Sequence, residues 1–255
     1  MNLKPDNAGV GKRRRTLRPR LNFSSCGRFR FIMPVLNGVH VVTDAQLAPG
    51  RGHLDIARAA VETGAPVLQL RDKLLPDAGF YEIADAIRKL TKGTGTLFLV
   101  NDRVDIALAV GADGVHIGQS DLPAPAARRL VGANCILGVS ASSIAEAVRA
   151  TADGADYVGC GPVFSTATKN DAASPTGVRQ LAEMKSMVSA PVVAIGGIGE
   201  GNIASVAASG ADGVAVVSAV VCAEDMRAAI TRLSDLFRGA AEHNDGYKDG
   251  VIRRR

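Results

Sequence analysis

A short cassette of glycine, alanine and aspartate, followed at once by apolar residues, recurs along the chain. Copies begin at Gly111, Gly154 and Gly210, and a looser copy begins at Gly64. Apolar residues at helical spacing precede each copy, and the glycine suits the left-handed position that ends a helix. Each cassette therefore predicts a helix that ends where a short buried strand begins.

Applying this rule along the chain predicts eight strands, at residues 39–43, 67–70, 97–100, 114–117, 136–139, 157–159, 192–195 and 214–217. Amphipathic segments follow the strands, for example at 56–61, 81–90, 144–150 and 226–237. Short strands that are apolar on both faces are typical of buried parallel sheets. The pattern predicts an α/β protein with a single (β/α)8 TIM barrel. A doubly wound open sheet is the alternative, but no GxGxxG follows the first strand.

Charge divides the chain into three parts. Residues 1–36 hold nine Lys or Arg and one Asp, and residues 238–255 hold five basic and three acidic residues, so the net charge of +5 belongs to the ends. We expect a disordered basic N-terminal extension over 1–36, a catalytic barrel over 37–237 and a frayed tail over 238–255. An arm dispensable for chemistry is favoured over a transit peptide, and a physiological start at Met33 is a third possibility.

Composition excludes several classes of protein. With 47% apolar residues and a mean hydropathy of +0.12, the 255 residues can bury a large core, while the longest apolar stretch, 214–223, is too short to span a membrane. Four dispersed cysteines indicate neither a disulfide framework nor a zinc site, which favours a cytoplasmic location. Because the chain has no Trp and only 4% aromatic residues, it offers no stacking platform for bases, which argues against a nucleic-acid partner.

Active sites of such barrels lie at the carboxyl ends of the strands, and polar residues stand there. After the second strand, Gln69, Arg71 and Lys73 alternate along extended chain and share one face, which predicts an anion site. The alternative is a solvated charge run at the start of a loop.

The third and fourth strands are followed by Asn101, Asp102 and Asp121. These strands are neighbours, so the two aspartates can approach one another and hold Mg²⁺. Each could instead cap a helix, but beside Arg71 and Lys73 they favour a magnesium-diphosphate site. His116, on an apolar strand, is interpreted as a core residue rather than a ligand.

A second anion site is predicted from the remaining strand ends. Ser140 follows the fifth strand, a loop at 161–169 follows the sixth, and glycines and a serine follow the seventh and eighth, where this fold commonly binds phosphate. The loop hydroxyls could instead only cap turns. The residues alone thus favour a barrel enzyme that binds a magnesium-diphosphate and a monophosphate and joins them.

Eight strings at these strand ends resemble the thiamine-phosphate synthase family, also called thiamine-phosphate pyrophosphorylase. They occur in the family's order over about residues 37–237: 42–44, 69–73, 101–102, 118–121, 138–140, 161–169, 196–198 and 217–218. The resemblance implies a transferase that condenses 4-amino-2-methyl-5-(diphosphooxymethyl)pyrimidine with 4-methyl-5-(2-phosphooxyethyl)thiazole to give thiamine phosphate and pyrophosphate. Mg²⁺ would assist a dissociative loss of pyrophosphate.

The resemblance also implies roles for individual residues. Mg²⁺ would be bound by Asp102 and Asp121, and the catalytic residues would be Arg71, Lys73, Ser140 and Lys169. Substrates would be bound by Gln69, Leu70, Arg71, Asp72, Lys73, Asn101, Ser140, Thr166, Ala167, Thr168, Lys169, Gly197, Val217 and Ser218. The rival interpretations are a thiazole tautomerase-like isomerase on the same barrel and a non-catalytic barrel that binds thiamine precursors. The sequence is compatible with a homo-oligomer.

Overall fold

A computed structural model of the chain describes residues 36–166 and 174–252, with side chains described as far as residue 243. The expectations for the N-terminal arm up to residue 35 and for the last three residues lie outside the described residues. So do those for three candidate site residues, Ala167, Thr168 and Lys169.

Eight parallel strands form a closed barrel in which each strand pairs with the next in the chain and the eighth pairs with the first. This confirms the predicted TIM barrel, and no strand end differs from its predicted position by more than two residues. The strands are β1 Gly38–Val42, β2 Val67–Leu70, β3 Leu97–Asn101, β4 Gly114–Ile117, β5 Ile136–Ala141, β6 Tyr157–Cys160, β7 Val192–Ile195 and β8 Gly213–Val216.

Helices connect the strands and cover the outside of the barrel. The last helix continues past residue 238, the predicted start of a separate tail. Within the described residues, none of the helices is both long and apolar enough to cross a membrane. The helices are α1 His53–Glu62, α2 Asp77–Thr91, α3 Val104–Val110, α4 Ala124–Val131, α5 Ile144–Ala152, α6 Gly177–Met187, α7 Ile203–Ala208, α8 Ser218–Val221 and α9 Met226–Ile252.

Alternation along the strands divides the core into two layers. Side chains such as Leu68 and Phe98 pack between the sheet and the helices, whereas Leu99 and Val193 fill the barrel interior. Because the interior positions continue to the carboxyl ends of the strands, the last inward side chain of each strand lies at the barrel mouth. The period of two thus determines which residues can reach a ligand there.

The aspartate of each of the three full cassettes stabilises the opposite end of the barrel. Its carboxylate accepts a hydrogen bond from a backbone N–H of the preceding strand and pairs with a cation on the helix before that strand. Asp113 bonds Phe98 N–H and Arg88, Asp156 bonds Leu137 N–H and Arg128, and Asp212 bonds Val192 N–H and Lys185. The sequence repeat is therefore also a repeat of one polar contact, which is partly to fully buried.

Candidate active site

Two inward side chains at the ends of β2 and β3 contact each other. Gln69 Nε2 donates a hydrogen bond to Asn101 Oδ1 at 3.3 Å, and Gln69 is buried at 7% exposure. Both residues were predicted to bind a substrate. The register pairs Gln69 with Leu99, and Asn101 is the next residue of β3 on the same face. They present two amides to the interior of the mouth.

Arg71 lies directly beyond β2 and is oriented by a residue that follows β1. Its Nη1 donates to Asp44 Oδ2 at 2.9 Å, and both side chains are largely buried. Since a guanidinium has five N–H donors, this bond leaves others for an anion. Asp44 follows β1 and Arg71 follows β2, so the position of the guanidinium is set by residues from two adjacent strand ends.

Lys73, Asp102 and Asp121 form a connected charged group. The ammonium of Lys73 pairs with Asp102 Oδ2, and the carboxyl groups of Asp102 and Asp121 are hydrogen-bonded to each other. Asp121 Oδ2 also accepts a hydrogen bond from the backbone N–H of Gly118 at 2.7 Å. The structure thus brings together the two aspartates, as the order of the strands predicts.

The two carboxyl groups have opposite pKa shifts. Burial, together with the hydrogen bond and the charge of Asp121, raises the pKa of Asp102 although Lys73 opposes this. Burial also disfavours ionisation of Asp121, but hydrogen bonds from Asp102 and from Gly118 hold its pKa below the usual value. When both carboxyls are ionised, their two negative charges exceed the single positive charge of Lys73, and an added cation would balance the excess.

The backbone at Asp102 is in the left-handed region, with φ of 64°, and it is the one non-glycine residue there in the described part of the chain. Its N–H donates to His116 O at 2.7 Å. Aspartate tolerates this conformation better than most residues, and such outliers cluster at functional sites. The conformation fixes the Asp102 carboxyl beyond the end of β3.

Ser140 is oriented by a histidine of the neighbouring strand. His116 Nε2 lies 2.9 Å from Ser140 Oγ, and its Nδ1 lies 2.8 Å from the hydroxyl of Tyr157. Burial raises the pKa of Tyr157, so this hydroxyl stays protonated. The side chain of Gln119 donates to the Ser140 carbonyl at 2.6 Å. His116 is therefore a polar bridge inside the barrel as well as a packed residue.

The second candidate anion site involves the loops after β6, β7 and β8. Gly196 and Gly197 both have positive φ, and a Cβ at Gly197 would lie 2.5 Å from Ser165 O. These glycines therefore let the β7 loop pack against the β6 loop, where Phe164 N–H donates to Gly196 O at 3.0 Å. Thr166 ends the first described part of the chain in this region.

The register of β7 against β8 brings the next two predicted residues close to the glycines. Ile195 pairs with Ala215, so β7 and β8 end side by side, and Gly197 and Val217 each follow two residues beyond this pair. Ser218 follows, exposed, and begins the four-residue helix α8. Gly197, Val217 and Ser218 therefore lie at one part of the mouth.

Two predicted binding residues have side chains that do not face the mouth. Leu70 is fully buried in the layer between the strands and the helices. The carboxylate of Asp72 is 2% exposed and accepts hydrogen bonds from the N–H groups of Leu74 and Leu75. A substrate contact by Leu70 or Asp72 would have to come from its backbone.

Three residues that contact the predicted site residues were not assigned to the site from the sequence. They are Asp44, His116 and Gln119. The position of Asp44 directly after β1 is a signal that could have found it, because every other strand end carried candidates. The links from His116 and Gln119 to Ser140 depend on the register of β4 against β5, which the sequence does not state.

Comparison with known proteins gives the same assignment along most of the chain. A family model described as thiamine monophosphate synthase matches residues 39–220. The thiamine-phosphate synthases of Methanoculleus marisnigri and Moorella thermoacetica are each 51% identical over 202 residues, which are 79% of this chain and 96% of each relative. The solved thiamine phosphate pyrophosphorylase from Pyrococcus furiosus superposes with a TM-score of 0.75 at 41% identity, covering 82% of this chain and 98% of that one.

Proposed function

The chain belongs to the thiamine-phosphate synthase family, and from this premise we propose that it condenses the pyrimidine diphosphate with the thiazole phosphate, releasing pyrophosphate. The observation that carries the proposal is the hydrogen-bonded pair Asp102 and Asp121 beside Lys73, at the ends of two neighbouring strands. A pair of carboxylates beside a cation, facing a mouth lined with amides, suits a magnesium-diphosphate better than a neutral ligand.

The first substrate subsite consists of residues at or just beyond the ends of β2, β3 and β5. Gln69 and Asn101 offer hydrogen bonds to the aminopyrimidine, while Arg71 and Lys73 contact the diphosphate. Ser140, oriented by His116, closes the subsite on the β5 side. We assign Lys169 to the same diphosphate by the family's pattern alone, because it lies outside the described residues.

The donor set fits Mg²⁺. This ion takes oxygen ligands and is commonly bound through one or two carboxylates, with phosphate oxygens and water completing its shell. Among the described residues no cluster of three or more His, Cys, Asp or Glu side chains could hold a metal ion, so Asp102 and Asp121 need the diphosphate as a further ligand. When bound, the ion would neutralise charge that develops on the departing diphosphate.

The second subsite would bind the phosphate of the thiazole. Backbone N–H groups around Gly197 and the hydroxyl of Ser218 are suitable donors, and phosphate pockets of this fold are commonly built after the seventh and eighth strands. We place Thr166, Ala167, Thr168 and Val217 at this subsite as well, by the family's pattern.

The reaction proceeds through loss of the leaving group. The carbon–oxygen bond between the pyrimidine methylene and the diphosphate breaks, and its electron pair leaves with the diphosphate oxygen. Arg71, Lys73 and Lys169 stabilise that oxyanion, and the aminopyrimidine ring stabilises the methylene cation. The thiazole nitrogen then donates its electron pair to form the new carbon–nitrogen bond, so no side chain has to attack the substrate.

The working compartment is proposed to be the reducing cytosol. The three described cysteines, Cys135, Cys160 and Cys222, are free thiols. Nothing in the proposed chemistry needs a disulfide, and reduced thiols are typical of cytosolic enzymes.

A pyrophosphate-release assay tests the proposed function. We expect release only when the pyrimidine diphosphate, the thiazole phosphate and Mg²⁺ are all present. Turnover of thiazole precursors without pyrophosphate release would instead assign an isomerase. Binding of both phosphorylated heterocycles without turnover would assign a precursor-binding barrel.

A further inference from the structure

The loop that carries Arg71 and Lys73 is shaped by the residue between them. Asp72 Oδ1 accepts hydrogen bonds from Leu74 N–H at 2.7 Å and from Leu75 N–H at 2.9 Å. These two bonds fold the chain into a tight turn just beyond β2. The direction of both cations therefore depends on how the Asp72 carboxylate is held.

A buried histidine of another βα unit holds the second oxygen of that carboxylate. His53 begins α1, its side chain is 3% exposed, and its Nε2 lies 2.9 Å from Asp72 Oδ2. Its other ring nitrogen, Nδ1, lies 2.8 Å from the hydroxyl oxygen of Thr43. His53 thus joins the residue after β1 to the turn after β2.

Thr43 completes the connection on the other side of the turn. Its hydroxyl oxygen accepts a hydrogen bond from the backbone N–H of Arg71 at 3.1 Å, and Thr43 is fully buried. With the imidazole proton on Nε2, the Thr43 hydroxyl donates to Nδ1 and Nε2–H donates to Asp72. Every polar side-chain atom in this series of hydrogen bonds then has a partner, as a buried network requires.

The His53 side chain acts on Arg71 and Lys73 only indirectly. Through Thr43 and Asp72, its two hydrogen bonds fix the backbone on both sides of Arg71. Burying a histidine against a carboxylate costs desolvation free energy, and an apolar side chain would fill the same space. Packing alone therefore does not explain why a histidine stands here. Hydrogen-bonded partners one step behind a ligand-binding group commonly set its orientation.

We propose that His53 is a positioning residue for diphosphate binding: by joining Thr43 to Asp72, it locks the turn that aims Arg71 and Lys73 at the anion. This inference rests on the proposed function, because it assumes that these two cations bind the diphosphate. His53 itself contacts no substrate.

Three variants and one control test the proposal. His53→Leu removes both contacts of the imidazole, His53→Gln keeps a side chain that reaches one of them, and Thr43→Val removes the hydroxyl with little change of shape. Thr91→Val is the matched control, since Thr91 is also buried, at 2% exposure, but bonds Ile87 O of its own helix. It lies at the end of α2, away from the mouth.

We expect the KM for the pyrimidine diphosphate to rise about tenfold or more in His53→Leu and Thr43→Val, as losses of comparable supporting contacts do. The rise should be smaller in His53→Gln, and the KM for the thiazole phosphate should stay within about twofold of wild type. Thr91→Val should leave both KM values unchanged. Equal rises in the two KM values, or a loss confined to kcat and melting temperature, would overturn the proposal.

Calorimetric titration with magnesium pyrophosphate separates this proposal from the proposed function. The wild type and Thr91→Val should bind the probe equally. His53→Leu and Thr43→Val should bind it about tenfold more weakly, and the loss should be smaller in His53→Gln. If the wild type binds the probe but catalyses no condensation, the proposed function is wrong. The positioning role is then still tested by the affinity of the variants for the probe. Unchanged probe binding in both His53→Leu and Thr43→Val would refute the positioning role, whatever the activity.

Discussion

His40 illustrates at the scale of one residue how the barrel interior controls ionisation. The side chain lies on β1 at 3% exposure, and its Nε2 donates to Leu36 O at 2.8 Å. Burial, only partly opposed by that hydrogen bond, lowers the pKa of His40 to about 4. The imidazole is therefore neutral in the folded protein over most of the pH range in which an unfolded histidine takes up a proton.

This pKa makes stability depend on pH in a defined direction. Between about pH 6.5 and pH 4 the unfolded state binds a proton that the folded state does not, so stability falls as pH falls through this window. From pH 7 to pH 4 the contribution of His40 amounts to about 3 kcal/mol. Urea unfolding at both pH values should show that the wild type loses about this much more stability than His40→Gln. Parallel losses in the two proteins would contradict the account.

Single residues also show which parts of the candidate site could be predicted from the sequence. The alternation of Gln69, Arg71 and Lys73 was visible because period two is set by the strand itself, and the neighbouring aspartates follow from strand order. The partners that orient these groups, Asp44 and His53, were not visible as such. Their contacts depend on where a neighbouring strand end or helix packs, which local sequence does not specify.

The cassettes determine structure at the scale of elements. Asp113, Asp156 and Asp212 each connect a strand to the preceding one and to a helix, so one sequence signal both ends a helix and pins the next strand. This explains why strand positions were predicted so closely. The apolar stretch 214–223 has no such internal signal, and the structure divides it into β8 and α8.

Removal of one cassette carboxylate should be costly. Asp156→Ala leaves the buried N–H of Leu137 without this acceptor and removes the partner of Arg128, so we expect a loss of about 3 kcal/mol in the free energy of unfolding. Glu183→Gln, which breaks the exposed pair with Arg179, is the control and should cost less than about 0.5 kcal/mol. Urea unfolding measures both. Similar losses in the two variants would show that the cassette aspartates do not pin the strands.

In the whole molecule, the candidate site and the excess of positive charge lie in different segments of the chain. The closed barrel and the family match both lie within residues 36–252, whereas residues 1–36 hold nine basic residues and one acidic residue. None of the candidate site residues lies in that segment. Polyanion binding by the segment would be a separate property, driven by charge alone.

A chain beginning at Met33 tests this separation. We expect both KM values and kcat to match the full chain within about twofold, while retention on a heparin column falls to lower salt because fewer cations contact the polyanion. Steady-state kinetics and a salt gradient provide the two readouts. A loss of activity on truncation would place the segment in the catalytic machinery.

The central claim is that Asp102 and Asp121 jointly hold a divalent ion against a diphosphate. A crystal structure of the full chain with pyrophosphate and Mn²⁺, whose anomalous scattering identifies the metal, tests it most directly. We predict one metal ion ligated by both aspartates and by pyrophosphate oxygens, with Arg71 and Lys73 contacting the same anion. Metal bound away from either aspartate, or pyrophosphate bound away from the ends of β2, β3 and β4, would contradict the account.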